Sequence, residues 1–559
     1  MSVLVTEIRP GAYADSIVLM QLQSDLQRLD GIVAAGVVMG AAVNLDLLRA
    51  SELLDSAGQE AAAQDLIIAV RAESHDHAAA ALAQIDSLMQ NRKSSDTGDF
   101  RPRSLASAAR LLPGARWVSI SIPGHHASTV VHEALDLGCN VFLYSDNVAL
   151  EDEVDLKEKA TSKGRLVMGP DCGSAIIGGV GFGFSNGVRP GSIGLVCASG
   201  TGLQAITSRI HQLGSGISHA IGTGGRDLSA SVQGTTARQA LELLARDETT
   251  QVIVLTSKPP DGNVRAQILA QALHVEKPVV VYFSGSAAPV RRLGNLYFAD
   301  SLTAAAEAAV AIVEENPPAS SSPDAHRPPG EDLRGLFAGG TLALEALQVA
   351  RLLLWPLHTN LHATDTEPLL DLTASTGHTI LDLGADEFTV GRLHPMMDQR
   401  LRIDRLRQEA ADPATGTILL DVVLGRGAHP DPAAELVPVL EEIRSQRSMP
   451  IVALVVGTDE DGQDLGSTVE RLTAAGTEVF TDISRGLAHA VRFCSSLPSA
   501  LEGSVESSFL DSPRAAINVG VESFYEDFLS QDLEAVQVEW RPPAGGNERL
   551  MAILEKMKT

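Results

Sequence analysis

The stretch 193–216, IGLVCASGTGLQAITSRIHQLGSG, passes from an apolar run through four small residues into a helical pattern. Ile193 to Ala198 is the short run of a buried strand, and Leu203, Ile206, Ile210 and Leu213 then recur at helical spacing. Between them lie Ser199, Gly200, Thr201 and Gly202, with no bulky side chain. A strand, a glycine turn and a helix start present unpaired backbone N–H groups at the positive end of a helix dipole, which suits an anion. The same turn is also readable as an ordinary strand-to-helix connection with Ser199 or Thr201 as N-cap.

Outward from this turn the chain repeats the pattern. VLVTEIRP, GIVAAGVVM and DLIIAVRAE in residues 1–98 are strand-like, with helical stretches between and after them. ARWVSISIP and CNVFLYS follow, then GSIGLVCA, QVIVLTS and KPVVVYFSG, each set separated by amphipathic helices. Apolar strands alternating with such helices predict α/β domains built on mostly parallel, doubly wound sheets. The segment 91–104 and the Pro- and Ser-dense ENPPASSSPDAHRPPGED (315–332) read as linkers. Beyond the second linker a glycine turn, Gly339, Gly340 and Thr341, opens another helix, followed by the strands GTILLDVVLG, PIVALVVGT and TEVFTDI. Two turn-plus-helix units of one layout therefore flank a proline linker. They suggest two anion-binding helix ends able to face one another across a domain interface.

Composition narrows the function. A chain of 559 residues holds about three to five domains. Its formal net charge of −27 excludes a basic field for nucleic acid or an anionic membrane, and 4% aromatics leaves little for base stacking. Cys139, Cys172, Cys197 and Cys494 are widely spaced, with no C-x-x-C pair, which fits reduced thiols rather than disulfides or a zinc site. The first residues show no secretory signal, and no apolar run has membrane-span length. A cytoplasmic protein without a metal is expected.

The order MGPDCGSAI (168–176), NGVRPGSIGLVCASGTGLQAI (186–206) and IGTGGRDL (221–228) resembles the α-subunit of succinyl-CoA synthetase. FAGGTLALEAL and LDLGADEFT are similar to the carboxy-terminal ligase domain of its β-subunit. With GADEFTVGRLHPMMD (384–398) and INVGVESF…VEWRPPAGG (517–546), the chain is identified as a member of the FdrA family, in which both halves are fused. The resemblance implies a small α/β domain over 1–98, a Rossmann-like CoA-binding-type domain over 105–188 and a first flavodoxin-like ligase domain over 189–314. A second ligase domain over 333–500 and an α/β tail over 501–559 complete it.

Departures from the synthetases bear on the chemistry. Their R-R-x-G-H segment carries a phosphorylated histidine; here PVRRLGNLYF puts Asn295 in its place, beside Arg291 and Arg292. An amide takes no phosphoryl group at neutral pH, so that relay is unavailable. The amino-terminal glycine turn that would cradle CoA is missing, which counts against CoA, and no nucleotide-binding P-loop is present. The resemblance implies a subunit of oxamate carbamoyltransferase, the phosphorolysis step of allantoin breakdown, working with two other subunits. That reaction converts oxalurate and phosphate into oxamate and carbamoyl phosphate, so phosphate or carbamoyl phosphate is the expected ligand and a small ureido acid the substrate. An acyl-CoA synthetase and a non-catalytic scaffold are the alternatives, and a homo-oligomer is compatible with each.

The expected phosphate and substrate residues are Ser199, Gly200, Thr201, Gly202, Gly339, Gly340 and Thr341, with Gly224, Gly225 and Arg226. Arg226 offers a bidentate clamp, or else a surface pair with Asp227. Arg291 and Arg292 offer charge to a developing oxyanion. In GRLHPMMD, Arg392 and His394 are candidates, His394 as general acid to a leaving nitrogen or else as a loop histidine on a backbone carbonyl. His125 and His126 sit at a strand end where ligands bind in open α/β sheets, or else read as helix caps, the favoured account. His358 and His362 lack a third metal ligand, and Cys172 and Cys197 read as small buried residues.

Overall fold

The computed structural model describes residues 2–10, 12, 16–40, 42–62, 65–90, 101–286, 288–315, 330–494, 501, 503–511 and 513–542. Most of both expected linkers and the end of the chain lie outside the described residues. Contacts divide the chain into two units, one of residues 1–141, 145–149 and 514–559, the other of 142–144 and 150–513.

In the first unit, β1 (Val3–Arg9), β2 (Ile32–Met39) and β3 (Leu66–Ala72) form a sheet of order β1-β3-β2. Both pairings are antiparallel, so the parallel sheet expected from alternation does not extend to this domain. The reason is connectivity: the helix Ser16–Gln27 carries the chain from β1 to β2, and β3 then inserts between them running the other way. Leu19, Leu22 and Leu26 of that helix pack with Ile68 and Val70 of β3.

Next come β4 (Trp117–Ile120) and β5 (Asn140–Leu143), joined by the helix Gly124–Asp136, and then the short β6 (Val167–Met168). In the second unit β7 (Ser174–Ile177) and β8 (Val180–Gly183) precede β9 (Pro190–Cys197) and β10 (Ile217–Gly222). They are followed by β11 (Val252–Ser257), β12 (Val279–Phe283), β13 (Arg292–Leu293) and β14 (Leu296–Phe298). β7 to β14 join one sheet of order β13-β14-β12-β11-β9-β10-β7-β8. Across the boundary expected at 188/189, β7 pairs antiparallel with β10, so residues 174–183 add an edge to the ligase-like sheet.

Within that sheet β14-β12-β11-β9-β10 is parallel and doubly wound. Leu203, Ile206 and Ile210 of the helix Gly200–Gln212 cover one face with Ala305 and Ala309 of the helix Leu302–Glu315. On the other face Gly194 has no side chain because a Cβ there would meet Leu244 at 3.1 Å.

The second half repeats this order. β15 (Asp332–Phe337), β16 (Leu357–Thr359), β17 (Glu367–Pro368), β18 (His378–Asp382), β19 (Thr415–Val423), β20 (Ile451–Val456) and β21 (Glu478–Phe480) form a sheet β17-β16-β18-β15-β19-β20-β21. Its pairings are parallel throughout. β18-β15-β19-β20-β21 thus corresponds to β10-β9-β11-β12-β14. In both halves the first strand borders the point where strand order reverses, the usual place for a ligand in an open α/β sheet.

The chain then returns to the first unit. β22 (Ala515–Val519) pairs parallel with β4 and with β23 (Glu534–Val538), so the tail expected over 501–559 is part of the β4–β5 sheet. No described helix is long and apolar enough to cross a membrane.

Candidate functional site

At the carboxyl end of β9 the backbone of Ser199 is extended, and its Oγ accepts the N–H of Gly202 at 3.2 Å, closing the helix start as an N-cap. Ala198 N–H donates to the Thr256 carbonyl at 3.0 Å. Among the described residues the N–H groups of Gly200 and Thr201 have no acceptor, so the first helical turn keeps two donors for an outside anion. Two further segments close on this turn. A Cβ on Gly200 would stand 3.4 Å from Gly173 Cα, and one on Gly224, at φ +86°, would strike Pro170 O at 2.3 Å. The three stretches that carry the synthetase resemblance therefore meet here, bringing together Ser199, Gly200, Thr201, Gly202, Gly224 and Gly225.

Behind this turn lies a buried ionic network. Lys157 Nζ reaches Asp227 at 2.7 Å and Glu153 at 3.0 Å, and Asp227 also accepts the N–H groups of Thr236 and Ala237. Arg226 donates its Nε–H to Glu153 at 2.9 Å. Both expectations for Arg226 are corrected: it is not an unoccupied clamp, and its partner is Glu153, because Asp227 is committed to Lys157 and a helix start. Cys172 and Cys197 are buried under the glycine loops, and burial pushes each thiol up to about 12.

The second turn differs in charge. Ala338 N–H and Gly339 N–H both donate to the Asp421 carboxylate, at 2.8 and 2.9 Å. Asp421 is fully buried, with Arg402 Nη1 3.4 Å away. Asp382 is also buried, and a Cβ on Gly340 would lie 2.6 Å from its Oδ2. Burial foremost, and then the Asp421 charge, push the Asp382 carboxyl above its ordinary value against the pull of the Gly384 N–H. Gly339, Gly340 and Thr341 are therefore not the matching phosphate cradle expected from the repeat. Two donors are already taken, and a phosphate dianion would face two carboxylates. Nor do the two helix starts touch: the atoms nearest Gly200 belong to Gly173 and those nearest Gly340 to Asp382.

His394 belongs to this second site. Its Nδ1 accepts the Met396 N–H at 3.2 Å, so in the neutral ring the proton is on Nε2. A Cβ on Gly384 would lie 2.5 Å from that Nε2 and 3.1 Å from Asp382 Oδ1, so glycine alone lets the histidine and the carboxylate share this corner. Arg392 is exposed on the same loop, and its neighbours Val390 and Leu393 are exposed as well.

Asn295 has a different position from the one expected. It is buried, and its Nδ2 donates among the carbonyls of Ala272, Val275 and Lys277 at 2.9, 2.7 and 3.0 Å, closing the carboxyl end of the helix Gly262–Leu273. Its carbonyl accepts the N–H of Val279, where β12 begins. The Ser199 turn lies beyond the opposite ends of these parallel strands, a strand of about 13 Å away along β12. Asn295 is a structural cap and not a catalytic residue. Arg291 and Arg292, which precede it, line a cavity on the β13 side of the sheet with Arg485 and Arg492.

His125 and His126 do not cap their helix, since Pro123 holds the cap position. Their ring centroids lie 4.0 Å apart with the planes tilted by 50°, and burial, with the neighbouring His125, lowers His126 to about 4. Among the described residues no group of three or more His, Cys, Asp or Glu side chains is placed to hold a metal ion. Asp382 and Asp421 were missed by the sequence reading. The available signal was a carboxylate at the end of an otherwise apolar strand, LLDVV for Asp421 and TILD for Asp382.

Comparison with known proteins places these parts. Residues 1–103 match a family described as AllF, heavy metal-associated domain; 190–315 match the succinyl-CoA ligase like flavodoxin domain; 336–492 match CoA-ligase. The chain is 37% identical over 493 residues to the uncharacterized protein YahF of Escherichia coli K12, covering 85% of this chain and 95% of that protein. It is 30% identical to the succinate–CoA ligase [ADP-forming] subunit alpha 2 of Archaeoglobus fulgidus, over 32% of this chain and 61% of that subunit. A dinucleotide-forming acetyl-coenzyme A synthetase of Ca. Korarchaeum cryptofilum, solved with phosphate and ADP, aligns at 15% identity and a TM-score of 0.28, over 68% of this chain and 82% of that one. The metal implied by the first description does not fit: the earliest cysteine is Cys139, so residues 1–103 hold no thiolate, and their only histidines are His75 and His77.

Proposed function

The chain belongs to the FdrA family, built on succinyl-CoA synthetase-like ligase domains, and from that premise we propose that it is a phosphate-holding subunit of a carbamoyl-transferring complex. One observation carries the reading. The Ser199 turn keeps free N–H donors at Gly200 and Thr201, while the position of the relay histidine is an asparagine locked in a helix end. Such a site suits bound phosphate that reacts directly and is never carried covalently.

The proposed reaction is oxalurate plus phosphate giving oxamate plus carbamoyl phosphate. A phosphate oxygen attacks the ureido carbonyl, the bond from that carbon to the inner nitrogen breaks, and the leaving oxamate amide takes a proton. The helix N-terminus orients the nucleophile. The proton for the leaving nitrogen would come from a partner subunit, because His394 sits beside Asp382 at the Gly339 turn, apart from the Ser199 turn. The substrate's second half and further catalytic groups would come from two partner subunits, in the cytoplasm.

The test is the chain mixed with candidate partner subunits, oxalurate and phosphate, assayed for carbamoyl phosphate. Product that forms only when this chain is present supports the reading; no product with any partner combination overturns it. The ligase matches favour a second reading, acyl-CoA ligation, which predicts nucleotide-dependent thioester formation in the same mixtures.

A further inference from the structure

Outside both turns, a cavity of about 810 Å³ lies between the two flavodoxin-like halves. One wall is the β13 hairpin of the first half, carrying Arg291 and Arg292. The other is one face of the helix Ile483–Cys494, where Arg485, His489 and Arg492 recur at i, i+4 and i+7. Four guanidinium groups thus line one space in a chain whose formal net charge is −27. The acidic lining is Asp482, whose Oδ1 accepts the Arg485 backbone N–H, while Glu478 pairs with His489. Among the described residues the guanidinium groups of Arg291 and Arg485 have no carboxylate partner. Arg292 is set in place by the Gly294 carbonyl at 2.9 Å and by the Tyr297 ring, 4.7 Å from its centroid.

We propose that this cavity binds a nucleoside di- or triphosphate. Guanidinium forks on facing walls match phosphoryl oxygens bidentately and suffer mutual repulsion until an anion lies between them. Inorganic phosphate fills only a small part of such a volume, which falls in the range of sites for organic ligands. Besides Ser484 and the small Gly294 and Ala488, the remaining lining is apolar: Phe480, whose ring lies 5.0 Å from the His489 ring, with Pro289 and Val290, a surface able to take a flat base. This site is independent of the proposed phosphorolysis, because none of its residues belongs to the Ser199 or Gly339 turns. It gives the fused chain a nucleotide contact made by both halves.

The experiment is calorimetric titration of the full chain with ADP, ATP and inorganic tripolyphosphate. ADP or ATP should bind at least about tenfold more tightly than tripolyphosphate. The double variant Arg291→Ala with Arg485→Ala should weaken nucleotide binding by about tenfold or more, with an unchanged thermal midpoint since both side chains are exposed. Absence of nucleotide binding at millimolar concentration, unaltered binding in the double variant, or tripolyphosphate binding as tightly as ADP each overturns the proposal. Because no carbamoyl phosphate is measured, failure here leaves the phosphorolysis assay unaffected.

Discussion

The Asp421 carboxylate accepts the Gly339 N–H at 2.9 Å, placing a negative charge beside a helix start whose counterpart in the first half is capped by the Ser199 hydroxyl. In the first half the corresponding position on β11 is Thr256, whose backbone carbonyl serves Ala198. One strand-end difference, Thr against Asp, therefore lines the second turn with a carboxylate that the first lacks. The halves share a fold and differ in the charge at the helix start.

Replacing Asp421 by alanine should be severe. Arg402 is fully buried; burial lowers its pKa, and the Asp421 charge acts against that shift. Removing the carboxylate leaves the guanidinium without its countercharge and frees two N–H groups. The expected loss is about 3–5 kcal/mol, read from the urea midpoint of the unit containing it. A loss below about 1 kcal/mol would show that Asp421 is dispensable to the helix start.

Asn295 gives a prediction that separates sequence position from spatial position. Asn295→Ala should destabilise by about 1–3 kcal/mol, because buried carbonyls of the helix Gly262–Leu273 lose their donor. Asn295→His should not restore a phosphohistidine: with radioactive nucleoside triphosphate it should show no acid-labile label. Label appearing on that variant would mean that the residue reaches a phosphoryl site after all.

Cys172, Cys197 and Cys494 share a pKa pushed up to about 12 by burial, and Cys139 is buried too. Thiolate, the reactive form, is scarce at neutral pH. Ellman's reagent should therefore find essentially no thiol in the native protein and four after denaturation. Rapid reaction of one native cysteine would reopen Cys172 or Cys197 as a nucleophile beside the glycine loops.

Much of the fold is legible in sequence because its strands are apolar on both faces. Runs such as QVIVLTS and PIVALVVGT are fully or almost fully buried, as central parallel strands must be. Direction is less legible. β3 is as apolar as β11 yet antiparallel, since pairing partners depend on where the chain returns and not on local composition. The Ser199 turn is readable because its signal is local. Asn295 is not: adjacency to R-R-x-G places it in a motif, but the carbonyls that hold it lie 18 to 23 residues away in the chain. For the same reason, the carboxylates at Gly339 come from strands that only the folded sheet brings alongside.

His126 supplies a pH signature for the first unit. Burial foremost, with the charge of His125 beside it, lowers its pKa from 6.5 to about 4. Its ring lies 5.5 Å from Trp540, in the segment after β23. The unfolded chain takes up this proton as pH falls through about 6.5, while the folded ring resists until about 4. Stability attributable to this histidine is therefore complete above 6.5, falls across that window, and levels off below about 4. His126→Gln, which does not titrate, should flatten the loss of thermal midpoint between these values while leaving the carboxylate-driven loss at lower pH in place. An unchanged slope in that variant would place the acid sensitivity elsewhere and show His126 to be more solvated than its packing against His125 and Trp540 implies.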